Sequence, residues 1–289
     1  MGPALVSRVR QPRASSSWQH SAWWSVLRFG LGVVLVSLIL SPLAIPWAEH
    51  GSWWTAIRRC VSISAAVSVW VSITKLERRS LLSYGFSSGR AGIRQLFFGV
   101  FVGLAALGLM LVIGLASGVC HIAITPNHAK LWLIILGFIP ASVIVSVLEE
   151  LVFRGFILQQ LLTYSTLLAV ISSSGLYALV HLKTWTVGMP TVLELGGLFL
   201  LGSILSVSYL KTNQLYCAVG LHASLAYGAR VNKLLIEFES SAVNWLVGTS
   251  RLVDGIANWV VLLVIGGILL WWMRPLPQSQ EGGEDHGNL

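Results

Sequence analysis

Charge is what this sequence has least of. Of 289 residues, 10% are Asp, Glu, Lys or Arg and 55% are hydrophobic. An ordinary soluble domain carries about 25% charged residues, so a water-bathed globule is excluded for most of the chain. Cysteine is also scarce. Cys60, Cys120 and Cys217 lie far apart, within or beside apolar runs, which excludes a CxxC metal site and a disulfide framework and leaves buried thiols. No internal repeat of fixed period is present, and no basic-and-aromatic sheet pattern accompanies the formal net charge of +8. A nucleic-acid partner is therefore not expected.

What is present is a series of long apolar runs. A helix needs about 20 mostly apolar residues to cross about 30 Å of hydrocarbon. Eight segments approach that length, about 29–48, 53–74, 96–119, 131–163, 165–184, 191–210, 214–230 and 255–273. Lipid satisfies no backbone polar group, so the runs must be helices, and the fold class is all-α, a polytopic membrane bundle of about eight transmembrane helices. The fourth run is too long for one perpendicular crossing and is expected to tilt, kink near Pro140 or protrude into the cytoplasm. The seventh is short.

The lipid bilayer is thus the first partner. With the amino terminus inside, eleven of the 19 Lys and Arg residues fall on the inner side, seven outside and Arg154 in the helical core. The bias is strongest in the 75–94 loop and puts both termini in the cytoplasm, with the cell (inner) membrane as the location. Residues 1–18 and 275–289 read as disordered tails, 19–80 as two amino-terminal helices, 81–230 as a core, and 231–274 as an extramembrane loop with the last helix. The first span is expected to be a retained helix rather than a cleaved leader. Tryptophan pairs such as Trp23–Trp24, Trp53–Trp54 and Trp271–Trp272 sit at span ends, where indoles anchor at the interface.

Ionisable groups inside spans cost about 2.5 to 3.5 kcal/mol each on insertion scales, so each needs a partner or a task. Glu149, Glu150 and Arg154 share one apolar segment. At 100° per residue, Glu150 and Arg154 lie about 40° apart, the i, i+4 spacing of an ion pair, while Glu149 points about 140° away with no partner in its own helix. A carboxylate beside a second one in low dielectric has the character of a general base. His181 follows in the next helix, with Tyr177 one turn away on the same face. Glu149 and His181 are each sixteen residues from the turn near Ser165, which places both about 24 Å from it in an antiparallel hairpin. Facing each other, they could hold a water or a metal ion. His222, counted from the turn near Asn213, comes only about 14 Å up, unless tilt or an extended fourth helix absorbs the difference. His121 and His128 are expected to be solvated, Glu194 to face water near the outer interface, and Glu77 to lie in a charged inner loop.

The ordered set resembles the CAAX-protease and bacteriocin-processing family of intramembrane proteases, which includes the type II prenyl-protein endopeptidases. The Glu-Glu-x-x-x-Arg box is Glu149, Glu150 and Arg154, followed by Gly155. The Phe-x-x-x-His motif appears as Tyr177-x-x-x-His181. The His-x-x-x-Asn/Asp motif keeps His222 but has Ala226 in the place of the Asn. The resemblance covers about residues 81–230. It implies that Glu149 with His181 activates water, that Glu150 and Arg154 orient it, and that His222 helps bind it or the developing oxyanion. It leaves two options open, a divalent metal such as zinc held by Glu149, His181 and His222, or a metal-free glutamate protease. The implied substrate is a membrane-associated peptide or protein. Two other readings stand beside it: a catalytically impaired immunity or scaffold member of the family, motivated by Ala226, and a proton-coupled transporter, since buried Glu and His also relay protons.

Overall fold

The computed structural model describes residues 16–44, 53–86, 89–181 and 188–273, with side chains at 16–21, 53–59 and 130 left aside. Every apolar run becomes a helix, as a chain with no backbone partners in lipid must. In chain order these are α1 (Ser16–Ala44), α2 (Trp53–Val71, extended by a π turn Ser72–Leu76), α3 (Arg90–Ala116) and α4 (His128–Glu150). The second half contributes α5 (Thr166–Val180), α6 (Met189–Thr212), α7 (Tyr216–Leu235) and α8 (Ile256–Trp272). Four stretches are long and apolar enough to cross a membrane by length and composition, Ala22–Ala44, Arg90–Ala116, Leu131–Leu161 and Met189–Thr212. Cys60–Leu76, Thr166–Val180 and Ile256–Trp272 are shorter apolar helices.

Two boundaries differ from the sequence expectation. Helix α1 begins at Ser16, inside the segment expected to be a tail, and carries Trp23 against Tyr164 with ring centroids 5.7 Å apart; a helix need not end where the hydrocarbon does. The rest of the expected tails, Trp53–Trp54 as side chains and Lys183 lie outside the described residues. Helix α4 runs unbroken through Pro140 and changes character only at Leu151, where a π-helical stretch Leu151–Leu158 begins, continued by Gln159–Leu161. All eight residues of the π stretch are buried. Such insertions are frequent at functional sites, and this one lies directly after the Glu149–Glu150 pair.

The short seventh run becomes the most enclosed helix. In α7, Cys217 through Leu225 are all buried, so the helix is shielded by protein rather than lipid and tolerates a polar side chain. Glycine makes the enclosure possible. A Cβ at Gly220 would lie 2.2 Å from the Leu96 carbonyl of α3, and one at Gly99 would lie 2.3 Å from the Cys217 carbonyl of α7. The two backbones touch, the small-residue packing that brings helices together where lipid supplies no hydrophobic drive.

Outside the bundle, Cys120–Ile122 pairs antiparallel with Ile236–Phe238, a small ladder that the all-α pattern did not announce. His121 is exposed and lies 3.6 Å from Glu237 and 3.4 Å from Glu239. His128 is exposed too. Glu194 departs from expectation: it is 4% exposed and receives a hydrogen bond from Arg251 at 2.5 Å. The 249–255 loop folds back over α6, with the Val253 carbonyl against Gly197 and accepting from Trp259 Nε1 at 2.9 Å, and Glu194 is buried beneath it. Glu77 ties the end of α2 to the segments around Tyr84 and Gln160, accepting from Gln160 Nε2 at 2.7 Å and from the Tyr84 hydroxyl. All three cysteines are buried and free.

Candidate active site

The pieces of the site come from α4, its π continuation, α5 and α7. Arg154 and Glu150 are both fully buried, and Arg154 Nη1 donates to Glu150 Oε1 at 2.9 Å. The second guanidinium nitrogen, Nη2, donates to the Gly202 carbonyl of α6 at 2.9 Å. The guanidinium also lies over the Tyr177 ring, 4.7 Å from its centroid. A charge with no water around it needs several such partners, and these fix the planar fork in place.

His222 completes the arrangement. Its Nδ1 is 2.8 Å from Glu150 Oε1 and its Nε2 is 3.6 Å from Glu149 Oε2. The shortfall in depth expected from counting turns has a simple cause. The Leu215 N–H donates to the Gly85 carbonyl, and a Cβ on Gly155 would sit 3.6 Å from Leu215 Cδ1, so α7 starts level with Gly155, not with the turn at Ser165. From that level Glu149 is six residues away and His222 seven, about 9 and 10.5 Å at 1.5 Å per residue. The fourth helix extends past the start of α7, as one of the two possibilities required.

His181 also meets Glu149, with Nε2 3.4 Å from Oε2, while its Nδ1 lies 2.8 Å from the Tyr177 carbonyl. It stands at the end of α5 and is about 30% exposed. Each imidazole therefore has its Nδ1 engaged by an acceptor, Glu150 for one and a carbonyl for the other. That assignment makes Nδ1 the protonated nitrogen in both and leaves Nε2 as an acceptor when the ring is neutral. Three acceptors, Glu149 Oε2 and the two Nε2 atoms, then face one another. Glu149 Oε2 is buried and has no hydrogen-bond partner among the described residues. The set suits a molecule with two protons to donate, or a proton carried on one ring. Two carboxylates and one guanidinium leave one negative charge, which a single imidazolium balances.

The residue types are also those of a metal centre built from two histidines and one carboxylate. Yet Glu149 faces both rings directly, and among the described residues no group of three His, Cys, Asp or Glu side chains is arranged to hold a metal ion.

Sequence reasoning missed one group, the Tyr177 hydroxyl. It lies 3.4 Å from His222 Nε2, in a ring that is 2% exposed. The substitution of Tyr for Phe was the available signal. Ala226, one turn beyond His222, brings no polar group, and its polar neighbours are committed elsewhere: Ser224 Oγ donates to the Gly220 carbonyl at 2.9 Å, and the Tyr227 hydroxyl donates to the Ile135 carbonyl at 3.0 Å.

An apolar groove of about 320 Å³ reaches Glu149 between α1, α2, α4 and α5. Phe29, Val33, Ala65, Val152 and Leu176 are among its walls, and Glu149 is the one ionisable group among the described residues that line it.

Residues 130–227 match the family model described as Type II CAAX prenyl endopeptidase Rce1-like, a shorter stretch than the 81–230 of the sequence resemblance but one that contains all five site residues. No curated protein matches the chain.

Proposed function

Through residues 130–227 the chain belongs to the CAAX-protease family of membrane proteases, and from that premise we propose that it is an intramembrane endopeptidase whose general base is Glu149. The observation that carries the proposal is the convergence of Glu149 Oε2 with the Nε2 atoms of His181 and His222 at 3.4 and 3.6 Å, where Glu149 also lines an apolar groove.

The chemistry follows from that convergence. A water among the three acceptors gives a proton to Glu149 as its oxygen attacks the peptide carbonyl carbon. The carbonyl π electrons move onto oxygen. Collapse of the tetrahedral species breaks the C–N bond as a proton passes from Glu149, or through His181, to the departing nitrogen, leaving a carboxylate and an amine. General-base assistance of this kind contributes about 10² to 10⁴ in rate. Glu150 and Arg154 hold His222 in register and do not touch the substrate.

The substrate is a membrane-associated peptide or protein whose apolar segment lies in the groove while the scissile bond reaches Glu149 from the lipid side. The site works near the cytoplasmic face of a cell membrane, with both termini cytoplasmic, as the inner bias of Lys and Arg supports. Ala226 favours one alternative, a scaffold or immunity protein with the cavity but no turnover.

The test is a comparison of purified wild type with Glu149→Gln in nanodiscs, against a degenerate library of membrane-anchored reporter peptides read by mass spectrometry. Cleavage by wild type alone supports the protease, and no cleavage by either supports the scaffold.

A further inference from the structure

Two departures from the family motifs fall in this site, a hydroxyl gained at Tyr177 and a polar side chain lost at Ala226. They are separated by 49 residues in sequence yet bear on the same imidazole. Ala226 lies one turn from His222 on α7, about 40° around the helix. The Tyr177 hydroxyl reaches His222 Nε2 from α5.

The ring of Tyr177 is held from several sides. It stands edge-on to Phe153, with centroids 5.3 Å apart and planes at 87°, and edge-on to His222 at 5.7 Å and 84°. His181 lies 4.4 Å away, and the Arg154 guanidinium covers the ring. A side chain fixed in this way presents its O–H without reorganisation, the property that makes an oxyanion donor effective. It is also an uncharged donor beside His222 Nε2, one of the three acceptors described above. Its separation of 3.4 Å from Nε2 is long for an O–H···N bond, so little is lost when the hydroxyl turns to a better acceptor.

We propose that Tyr177 is a catalytic residue which donates its hydroxyl proton, as a hydrogen bond, to the oxyanion of the tetrahedral intermediate, supplying a donor in a site where Ala226 offers none. No covalent bond to the tyrosine forms or breaks. The proposal rests on the protease reading and predicts a particular pattern of loss and rescue. Tyr177→Phe restores the family's own residue, so the fold tolerates it. Loss of one such donor lowers kcat on the order of 10² to 10³, with KM unchanged because the ground-state carbonyl gains little from the bond.

The experiment measures kcat and KM of the full-length protein in nanodiscs for wild type, Tyr177→Phe, Ala226→Asn and the double variant, using a reporter peptide that wild type cleaves. Binding of a phosphinic peptide, a tetrahedral analogue of the same sequence, is measured in parallel. The expected result is a fall in kcat for Tyr177→Phe, a matching loss of analogue affinity with unchanged affinity for the uncleaved peptide, and recovery of both in the double variant. Glu149-dependent cleavage that survives Tyr177→Phe at full kcat overturns the role of Tyr177 and spares the protease. A lower kcat that Ala226→Asn leaves uncorrected also overturns it. Failure of wild type to cleave or to bind the analogue overturns both readings together.

Discussion

Glu150 Oε1 serves two partners at once, receiving Arg154 Nη1 at 2.9 Å and lying 2.8 Å from His222 Nδ1. One carboxylate oxygen thereby joins the π stretch after α4 to the enclosed helix α7, and the second oxygen of Glu150 is buried with no hydrogen-bond partner among the described residues. The ion pair is thus part of the frame that sets the position of His222.

Arg154→Leu should destabilise the protein by about 3 to 5 kcal/mol, the usual result of stranding one member of a buried ion pair. Arg154→Lys should recover only part of this, since one ammonium cannot reach both Glu150 and the Gly202 carbonyl in the geometry of the fork. Denaturant unfolding in a fixed detergent, followed by tryptophan fluorescence, measures both.

The two histidines should separate in their effects. His181 is about 30% exposed and its Nδ1 contacts only a nearby carbonyl, whereas His222 is about 6% exposed and meets Glu150. His181→Ala should abolish cleavage and cost less stability than His222→Ala, because its imidazole is part-exposed and makes no contact with the Glu150–Arg154 pair. His222→Ala should cost activity and about 1 to 3 kcal/mol of stability, the penalty for a buried acceptor left short of a donor. The same unfolding curves decide it.

Helix contact should matter as much as chemistry. Gly220→Ala puts a methyl 2.2 Å from the Leu96 carbonyl, two residues before His222. It should lower stability by about 1 to 3 kcal/mol and reduce activity by moving His222. Gly108→Ala on α3, where a Cβ meets nothing within 4 Å, should be neutral or stabilising by up to about 1 kcal/mol. Paired melting and cleavage assays of the two variants test the difference.

The sequence announced the helices because lipid leaves the backbone no other choice, and the Glu150–Arg154 pair because i, i+4 spacing is local. The meeting of Glu149 with His181 was also within reach, since a single tight turn at Ser165 fixes their hairpin. His222 was harder. Its depth depends on where α7 starts relative to Gly155, which is set by the Leu215–Gly85 hydrogen bond and by glycines packed against α3, contacts distant in sequence. Glu194 was misread for the same kind of reason, because the loop that covers it comes from residues 249–255. The π stretch after Glu150 left no signal in the apolar pattern, since all eight of its residues are buried and no polar face marks a change of period.

The most direct test of the central claim is single-turnover cleavage by Glu149→Gln beside wild type, with matched unfolding curves. Glu149 Oε2 sits among the acceptors and outside the Glu150–Arg154 frame, so the variant should fold as wild type does and show cleavage reduced by at least about 10². Wild-type cleavage rates in the folded variant would contradict the account.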